Sequence, residues 1–335
     1  MPFNGHNSTH SATRTGKSKY RPRRRRSGAP PPFQLTPRDI DILRAVARYR
    51  FLTSRHICRL IEGSGKNITL RLKALFEHRY LDRPECQYDH YRPGGGSSPI
   101  VYALGDRGAA VLVQRDGLAQ GPRVSWTQKN TEVGRPFLEH TLEIADFAVG
   151  LRESLKGRDD IQLVDGDDLL ATLPPETRAL QKPYRLSVPV IYRSMRHEVG
   201  VEPDYAFSLV RPRERRRAFF LVEIDRGTMP VERHDLKQTS ILRKLLAYQT
   251  LWKAKRHETH FGWRNFRVLI VTTSPERIAN IQAVMAGHAT LKESVLFLFG
   301  DATSFSSEGT QGVSGPMAAV NGSAIHLQPL IPHQQ

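Results

Sequence analysis

The fold of the C-terminal half is decided by residues 203–225, which read PDYAFSLVRPRERRRAFFLVEID. Residues 205–210 and 218–224 are rich in aromatic and aliphatic side chains, which is typical of β-strands. The arginine-rich run between them is short, so the two strands are expected to form a hairpin. Asp204 stands just before the first strand and Glu223 stands near the end of the second. Pairing of the strands would therefore bring these two carboxylates close together.

Helices and strands alternate on both sides of this hairpin, and the alternation predicts an α/β domain over residues 136–300. Apolar periodicity predicts helices at 136–155, 231–255 and 275–287. Short apolar runs predict strands at 161–164, 267–273 and 295–299, with 188–191 as a further candidate. Residues 301–335 are expected to be a mostly flexible tail with a late strand at 324–330.

Residues 34–115 carry the pattern of a winged helix-turn-helix domain. Three helices are expected, with Thr36 and Thr53 as N-caps of the first two and a Gly-Ser-Gly turn before the third. A glycine-rich hairpin tip, a strand and a closing helix follow, at 93–98, 100–104 and 107–114. The predicted fold class is therefore α+β, with an N-terminal winged helix-turn-helix followed by an α/β domain.

The formal net charge of the 335-residue chain is +17. This excess favours a polyanionic partner such as double-stranded DNA, because basic side chains release counterions from phosphates. Residues 1–33 contain eight Lys or Arg and no acidic residue, and their polar composition predicts a disordered basic arm. A solvated tail without a partner is the alternative. Residues 116–135 are polar, contain Gly and Pro, and are interpreted as a linker.

Several basic surfaces are candidate contacts to DNA. The third helix would enter the major groove, where Arg suits guanine and Asn suits adenine. The candidate residues are Arg23, Arg24, Arg25 and Arg26 in the arm; Lys66, Asn67, Thr69, Arg71 and Lys73 on the third helix; Arg83, His90, Tyr91 and Arg92 around the wing; and Arg213, Arg215, Arg216 and Arg217 in the hairpin of the C-terminal half. The alternatives are a solvated helix face in a protein-binding winged helix, a mobile glycine loop and a solvated hairpin tip.

The Asp204 and Glu223 carboxylates have the chemistry of a divalent-metal site. Carboxylate oxygens bind Mg²⁺, and a bound Mg²⁺ can activate water for attack on a phosphodiester. Glu143, on the helix before the sheet, is a candidate third ligand, and Lys244 could stabilise phosphate charge. The alternative is a structural acid cluster, paired with Arg226 and neighbouring arginines, that needs no cofactor.

Pro203-Asp204 and Glu223 resemble the motif of the PD-(D/E)xK nuclease superfamily. In that superfamily an acid, one further residue and a lysine follow the hairpin, and here Asp225 occupies the lysine position. Some members carry the lysine on the next helix, so the resemblance implies Lys244 as a substitute. It implies a restriction-endonuclease-like fold for the α/β domain, with Asp204, Glu223, Asp225 and Lys244 as candidate catalytic residues.

The chain is also similar, over roughly residues 35–300, to the replication-relaxation family of plasmid and mobile-element proteins. The most specific stretch is Glu223-Ile224-Asp225-Arg226-Gly227-Thr228. The other matching stretches are Leu35 to Asp39, Tyr102 to Gly108, His140 to Glu143, Val201 to Asp204 and Lys244 to Tyr248. The resemblance implies a role in plasmid replication or DNA relaxation.

Other chemistries have little support in the sequence. There is no Gly-rich phosphate loop followed by Lys-Ser or Lys-Thr, and two cysteines, Cys58 and Cys86, are too few for a disulfide framework. A nicking relaxase would need a tyrosine nucleophile and a metal-binding histidine triad, whereas the histidines are scattered. Because no apolar run is long enough to cross a bilayer, we expect a cytoplasmic protein without a membrane partner.

Three functions stay open at this point. The first is a DNA-binding accessory protein that recognises an origin or transfer site on a mobile element. The second is a metal-dependent endonuclease that nicks DNA with the Asp204 and Glu223 carboxylates. The third is a transcriptional regulator whose α/β domain only dimerises. Double-stranded DNA is the common partner, with other replication or transfer proteins, or a second copy of the chain, as further candidates.

Overall fold

The computed structural model describes residues 25–28, 30–88, 98–117, 125–306 and 315–327. Over these ranges the chain is a mixed α/β protein in which an N-terminal, mainly helical unit packs on a C-terminal half built around a sheet. Within the same ranges, none of the helices combines the length and the apolar composition that a membrane crossing requires.

The N-terminal unit combines helices with a small antiparallel sheet. Its helices are α1 (Pro37–Tyr49), α2 (Ser54–Leu60), α3 (Gly65–Glu77) and α4 (Asp106–Asp116). Its strands are β1 (Phe51–Thr53), β2 (Leu81–Asp82) and β3 (Val101–Leu104), in the order β1-β3-β2. Leu43, Ile57 and Leu72, one from each of the first three helices, are fully buried in a common core. The apolar stripes that predicted these helices are therefore the faces that meet.

Residues 125–135 differ from the linker expected there. They contain helix α5 (Trp126–Thr131) and lead directly into the next long helix. Asp106, at the start of α4, accepts a hydrogen bond from the backbone N–H of Trp126 at 2.6 Å. Asn130 is buried, and its side-chain amide donates to the carbonyl oxygen of Leu104 at 2.9 Å. This polar segment is ordered because its polar groups are satisfied by the N-terminal unit, which composition alone does not reveal.

The C-terminal half is built around a mixed sheet. Its strands are β4 (Gln162–Asp165), β7 (Tyr205–Arg211), β8 (Arg216–Asp225), β9 (Arg267–Thr272), β10 (Phe297–Asp301), β11 (Pro316–Ala318) and β12 (Ala324–His326). In the described residues their order is β12-β11-β10-β9-β8-β7-β4. Strands β4, β7 and β8 are antiparallel, whereas β8, β9 and β10 are parallel. The sheet thus joins an antiparallel hairpin to parallel crossovers at β8, the strand that ends with Glu223 and Asp225.

Helices cover both faces of this sheet. They are α6 (Arg135–Ser154), α7 (Gly166–Leu170), α8 (Pro175–Arg178), α9 (Ile241–Lys253), α10 (Arg256–Phe261), α11 (Pro275–Ala286) and α12 (Ala302–Phe305). Side chains of α6 pack on one face, and side chains of α9 and α11 pack on the other. The helix predicted over 231–255 begins only at Ile241, because the Ser240 hydroxyl caps it and accepts from the N–H of Arg243 at 3.2 Å.

A second hairpin, β5 (Leu186–Tyr192) and β6 (Met195–Val201), packs on α9. The sequence indicated only part of its first strand. Its two-residue turn consists of Arg193 and Ser194, whose φ angles are 49° and 64°. Such turns usually contain Asn or Gly, so the usual turn signal is missing from the sequence.

Helix α6 belongs to both halves of the molecule. Its Val149 lies in the core of the N-terminal unit, whereas Phe147 and Leu151 lie in the core beneath the sheet. Buried Asp165, at the end of β4, accepts a hydrogen bond from Arg48 of α1. Helix α6 and the Arg48–Asp165 pair therefore connect the N-terminal unit to the sheet.

Candidate functional site

The hairpin β7–β8 places Asp204 beside the end of β8. The Asp204 backbone N–H donates to the carbonyl oxygen of Val222 at 2.9 Å. One oxygen of the Asp204 carboxylate accepts a hydrogen bond from the backbone N–H of Ile224 at 2.8 Å. The register thus brings Asp204 next to the strand segment that carries Glu223, as the strand pattern predicts.

The Glu223 carboxylate is 5% exposed and has a partner on each oxygen. The Tyr248 hydroxyl donates to Oε1 at 2.6 Å, and the Lys244 ammonium group contacts Oε2. Burial raises the pKa of Glu223 to about 7; the Lys244 charge opposes this rise, whereas Asp204 adds to it. The protonation state of Glu223 is therefore set by its burial and by the charges of Lys244 and Asp204.

Lys244 and Tyr248 reach Glu223 together because they lie four residues apart, on one face of α9. Burial alone would lower the pKa of Lys244, but the charges of Glu223 and Asp204 raise it above its usual value. A lysine of the helix that follows β8 is therefore the cation that meets the Glu223 carboxylate.

His140 is a member of the cluster that the sequence analysis did not assign to the site. Its Nε2 atom lies 3.0 Å from Oδ1 of Asp204, and this hydrogen bond raises the pKa of His140. The signal was present in the sequence, because His140 and Glu143 are three residues apart on α6 and so lie on the same side of the helix.

Glu143 points toward a different partner from the one predicted. Its Oε1 accepts a hydrogen bond from Nε of Arg226 at 3.0 Å, and Arg226 also bonds to Glu139. In the described ranges, no three His, Cys, Asp or Glu side chains converge in a way that could hold a metal ion. The predicted ligand set of Asp204, Glu223 and Glu143 is therefore not assembled.

Asp225 is buried and hydrogen-bonded to side chains of neighbouring elements. It is 6% exposed, and its oxygens accept hydrogen bonds from Nε of Arg277 at 2.8 Å and from the Thr272 hydroxyl at 2.9 Å. Arg277 lies on α11, and Thr272 ends β9. Asp225 therefore ties the end of β8 to its neighbours, and the arginine that pairs with it is Arg277 rather than the adjacent Arg226.

The carboxylates, as arranged, do not fit a divalent metal ion. Asp204 is bonded to His140 and to a backbone N–H, while Glu223 is bonded to Lys244 and Tyr248. A hard cation such as Mg²⁺ needs several oxygen ligands, and both carboxylates would have to give up these partners. The cluster balances its negative charge with the protein's own cations.

The outer face of α3 forms a second candidate site. Ser64 caps the helix by accepting from the N–H of Asn67 at 3.3 Å. The side chains of Lys66, Asn67, Thr69 and Lys73 are exposed, opposite the buried face that includes Leu72 and Leu75. Four of the five residues predicted on this helix therefore share one solvent-facing surface.

Arg71, the fifth, is turned inward. Its guanidinium group bonds to both oxygens of Asp39, which is fully buried, and it donates to the carbonyl oxygen of Gln34 at 2.9 Å. It also lies over the ring of Phe33, 4.3 Å from the ring centre. The guanidinium group that was predicted to contact bases is therefore bonded to the start of α1 and to the chain before it.

The structure describes only part of the predicted basic arm and of the predicted wing. Arg25 is exposed, but Arg26 donates to the carbonyl oxygen of Phe76 at 2.7 Å and pairs with Asp82. The disordered arm expected over 1–33 is thus ordered at Arg26, and this arginine is an internal contact. Arg83 lies over the Phe76 ring, 4.0 Å from its centre. Arg23, Arg24, His90, Tyr91 and Arg92 lie outside the described residues.

The hairpin between β7 and β8 uses part of its charge internally. Arg217 lies over the Phe219 ring at 4.7 Å, and Arg216 pairs with Glu214 at 3.2 Å. Arg213 is exposed but lies 2.9 Å from Asp159, and Arg215 is exposed at the tip with φ 51°. The tip therefore presents a smaller positive surface than the sequence indicates.

Comparison with known proteins adds one finding. A search of the curated proteins and a search of the solved structures found no match. The family model described as replication-relaxation matches residues 43–264, which is more than half of the chain. The matched range includes α3 and the Asp204–Glu223 cluster, and it confirms the family predicted from the sequence. The chain therefore belongs to the replication-relaxation family.

Proposed function

We propose that this protein is a DNA-binding accessory factor in the replication or relaxation of a plasmid or another mobile element. Its N-terminal unit acts as a winged helix that binds double-stranded DNA through α3. The observation that carries the proposal is the exposed face of α3, where Lys66, Asn67, Thr69 and Lys73 point to solvent. Such a face suits the major groove, where amides and cations meet base edges and phosphates.

Two further features support this role. The net charge of +17 favours a polyanion over a neutral protein partner. Family membership points to replication or DNA relaxation as the process, and other proteins of that process are natural partners. An origin or a transfer site is the DNA target that this combination suggests.

The C-terminal half supports a nuclease-like fold with a changed site. Its core runs helix, three antiparallel strands, helix and parallel strand, in α6, β4, β7, β8, α9 and β9. This order, with Asp204 and Glu223 at neighbouring strands, is similar to the PD-(D/E)xK arrangement. Because the cluster is neutralised internally, we assign this half to orienting the winged helix through α6 and to further DNA contact.

The experiment is a fluorescence anisotropy titration of labelled duplexes at several salt concentrations. We expect affinity to fall steeply with salt, and the double variant Lys66→Ala/Lys73→Ala to reduce the slope of log K against log salt by about 1 per lysine. The control is Lys253→Ala/Lys292→Ala, which removes two exposed lysines of the C-terminal half that lie outside its basic β7–β8 hairpin. If both double variants change the slope equally, α3 is not the DNA-binding helix.

A metal-dependent endonuclease is the second candidate. The observation in its favour is the meeting of Asp204, Glu223 and Lys244 at one end of the sheet. Incubation of supercoiled plasmid with the protein and Mg²⁺ or Mn²⁺ separates the two functions. The accessory function predicts no nicking above that of Asp204→Ala. Nicking by the wild type that is lost in a normally stable Asp204→Ala variant would establish the endonuclease.

A further inference from the structure

The centre of the exposed face of α3 carries an apolar side chain. Leu70 is 58% exposed, whereas Leu72 and Leu75 of the same helix are fully buried. In the described part of the N-terminal unit, Leu70 is the only large hydrophobic side chain with high exposure; the others lie at Phe137 and beyond. The helix therefore presents one apolar group to solvent in the middle of a polar surface.

The neighbours of Leu70 define what it can meet. Lys66 lies one turn before it and Lys73 lies almost one turn after it, so both share its face of the helix. Leu70 and Lys73 also line a groove of about 590 Å³, together with residues that include Pro30, Pro31, Pro32 and Phe33. Leu70 thus lies between two exposed cations on the helix face and lines a concave surface.

A single exposed leucine is common on protein surfaces and by itself indicates nothing. The position of Leu70 is what distinguishes it, because it lies between two cations. Such a surface is complementary to a partner that has anionic groups at its borders and an apolar group between them. The major groove of DNA has this character, since phosphates border it and the 5-methyl group of thymine is the apolar group on its floor.

We propose that Leu70 is a specificity-determining residue that contacts the 5-methyl group of a thymine in the major groove. The inference rests on the proposed function, because it requires α3 to lie in that groove. In this arrangement Lys66, before Leu70 on the helix, and Lys73, after it, contact phosphates. Asn67 lies three residues before Leu70 and is placed to form a hydrogen bond with the edge of a neighbouring base. Leu70 then reads thymine by its shape and apolarity.

The test begins with selection of preferred duplexes from a random pool, followed by replacement of each thymine of the winning duplex with deoxyuridine. This change removes one methyl group and leaves the Watson–Crick pair intact. For the wild type we expect one position at which deoxyuridine lowers affinity about three- to fivefold, as burial of one methyl group supports. Leu70→Ala should bind the thymine and deoxyuridine duplexes equally, and Leu70→Met should keep the preference.

The matched control is Leu180→Ala, which truncates the same residue type at an exposed site (48%) in the C-terminal half. It should keep the full thymine preference, and all variants should show the melting temperature of the wild type. The inference is overturned if no thymine position responds in the wild type, or if Leu70→Ala retains the response. If the wild type shows no preference among duplexes at all, the failure is that of the proposed function, so the two failures are distinguishable.

Discussion

The α3 surface and the Asp204–Glu223 cluster both contain lysine, and they use it in opposite ways. On α3, Lys66 and Lys73 lie on the exposed face, whereas the opposite face, which includes Leu72 and Leu75, is fully buried. In the cluster, the Lys244 ammonium group contacts buried Glu223. The difference teaches that a basic residue indicates a nucleic-acid surface only when its charged group is exposed to solvent and is not paired with a buried carboxylate. The same cation inside a carboxylate cluster contributes to stability instead.

The largest expected effect tests the internal use of lysine. Lys244→Met leaves the buried Glu223 carboxylate without its cation, so the free energy of unfolding should fall by about 3 kcal/mol. Chemical denaturation measures this change. Lys237→Met, which removes an exposed lysine of the loop before α9, is the control and should change little. A normally stable Lys244→Met protein would show that the pair is not structural, and would sharpen the case for a functional lysine.

The second effect is a dependence of stability on pH. Burial raises the pKa of Glu223 to about 7 in the folded protein, above its ordinary value of 4.5. A raised acid pKa favours folding while the carboxyl is protonated, so this contribution is full below pH 4.5 and is lost as pH rises through about 7. The wild type should therefore lose about 2 kcal/mol relative to Glu223→Gln between pH 5 and 8. Parallel stability profiles of the two proteins would contradict the burial argument.

The third prediction separates Arg71 from the lysines of α3. Arg71→Ala removes the guanidinium partner of fully buried Asp39, so stability should fall by about 1.5 kcal/mol. Burial alone would raise the pKa of Asp39, but bonds from Arg71 and Thr36 lower it, and the variant should lose stability mainly above pH 4. Base preference of the folded variant should stay unchanged. A loss of discrimination between duplexes at full stability would return Arg71 to the DNA-reading face.

The smallest effect concerns the hairpin of the C-terminal half. Arg215→Ala removes an exposed charge at the tip, and DNA affinity should fall about twofold with no change in stability. Arg217→Ala removes a side chain that covers Phe219, and stability should fall by about 1 kcal/mol with no separate effect on DNA. Anisotropy and thermal melting measure the two properties. Equal effects of both changes on affinity would mean that the whole hairpin contacts DNA.

The parts of the site that could be predicted depend on local pattern. Asp204 and Glu223 come together because a hairpin fixes its register within a few residues, and the apolar runs of β7 and β8 reveal that hairpin. The exposed face of α3 follows from its helical period in the same way. The spacing of His140 and Glu143 placed both on one side of α6, but it did not show that His140 meets Asp204, which lies 64 residues away on the loop before β7. Helix α5 was not expected within the linker predicted over 116–135, because polar composition does not show whether polar groups find internal partners.

The sequence by itself determined the family, most of the longer helices and the strands of the β7–β8 hairpin, and the neighbouring positions of Asp204 and Glu223. These properties depend on apolar periodicity and on the pairing of nearby strands, and both can be recognised from residues that are close together in the sequence. Only the tertiary structure decided which charged side chains pair with each other within the protein. Arg71 pairs with Asp39, Arg26 with Asp82 and Lys244 with Glu223, over separations of 32, 56 and 21 residues. Charged side chains have many partners of opposite sign along the chain, and only packing selects the one that each of them meets.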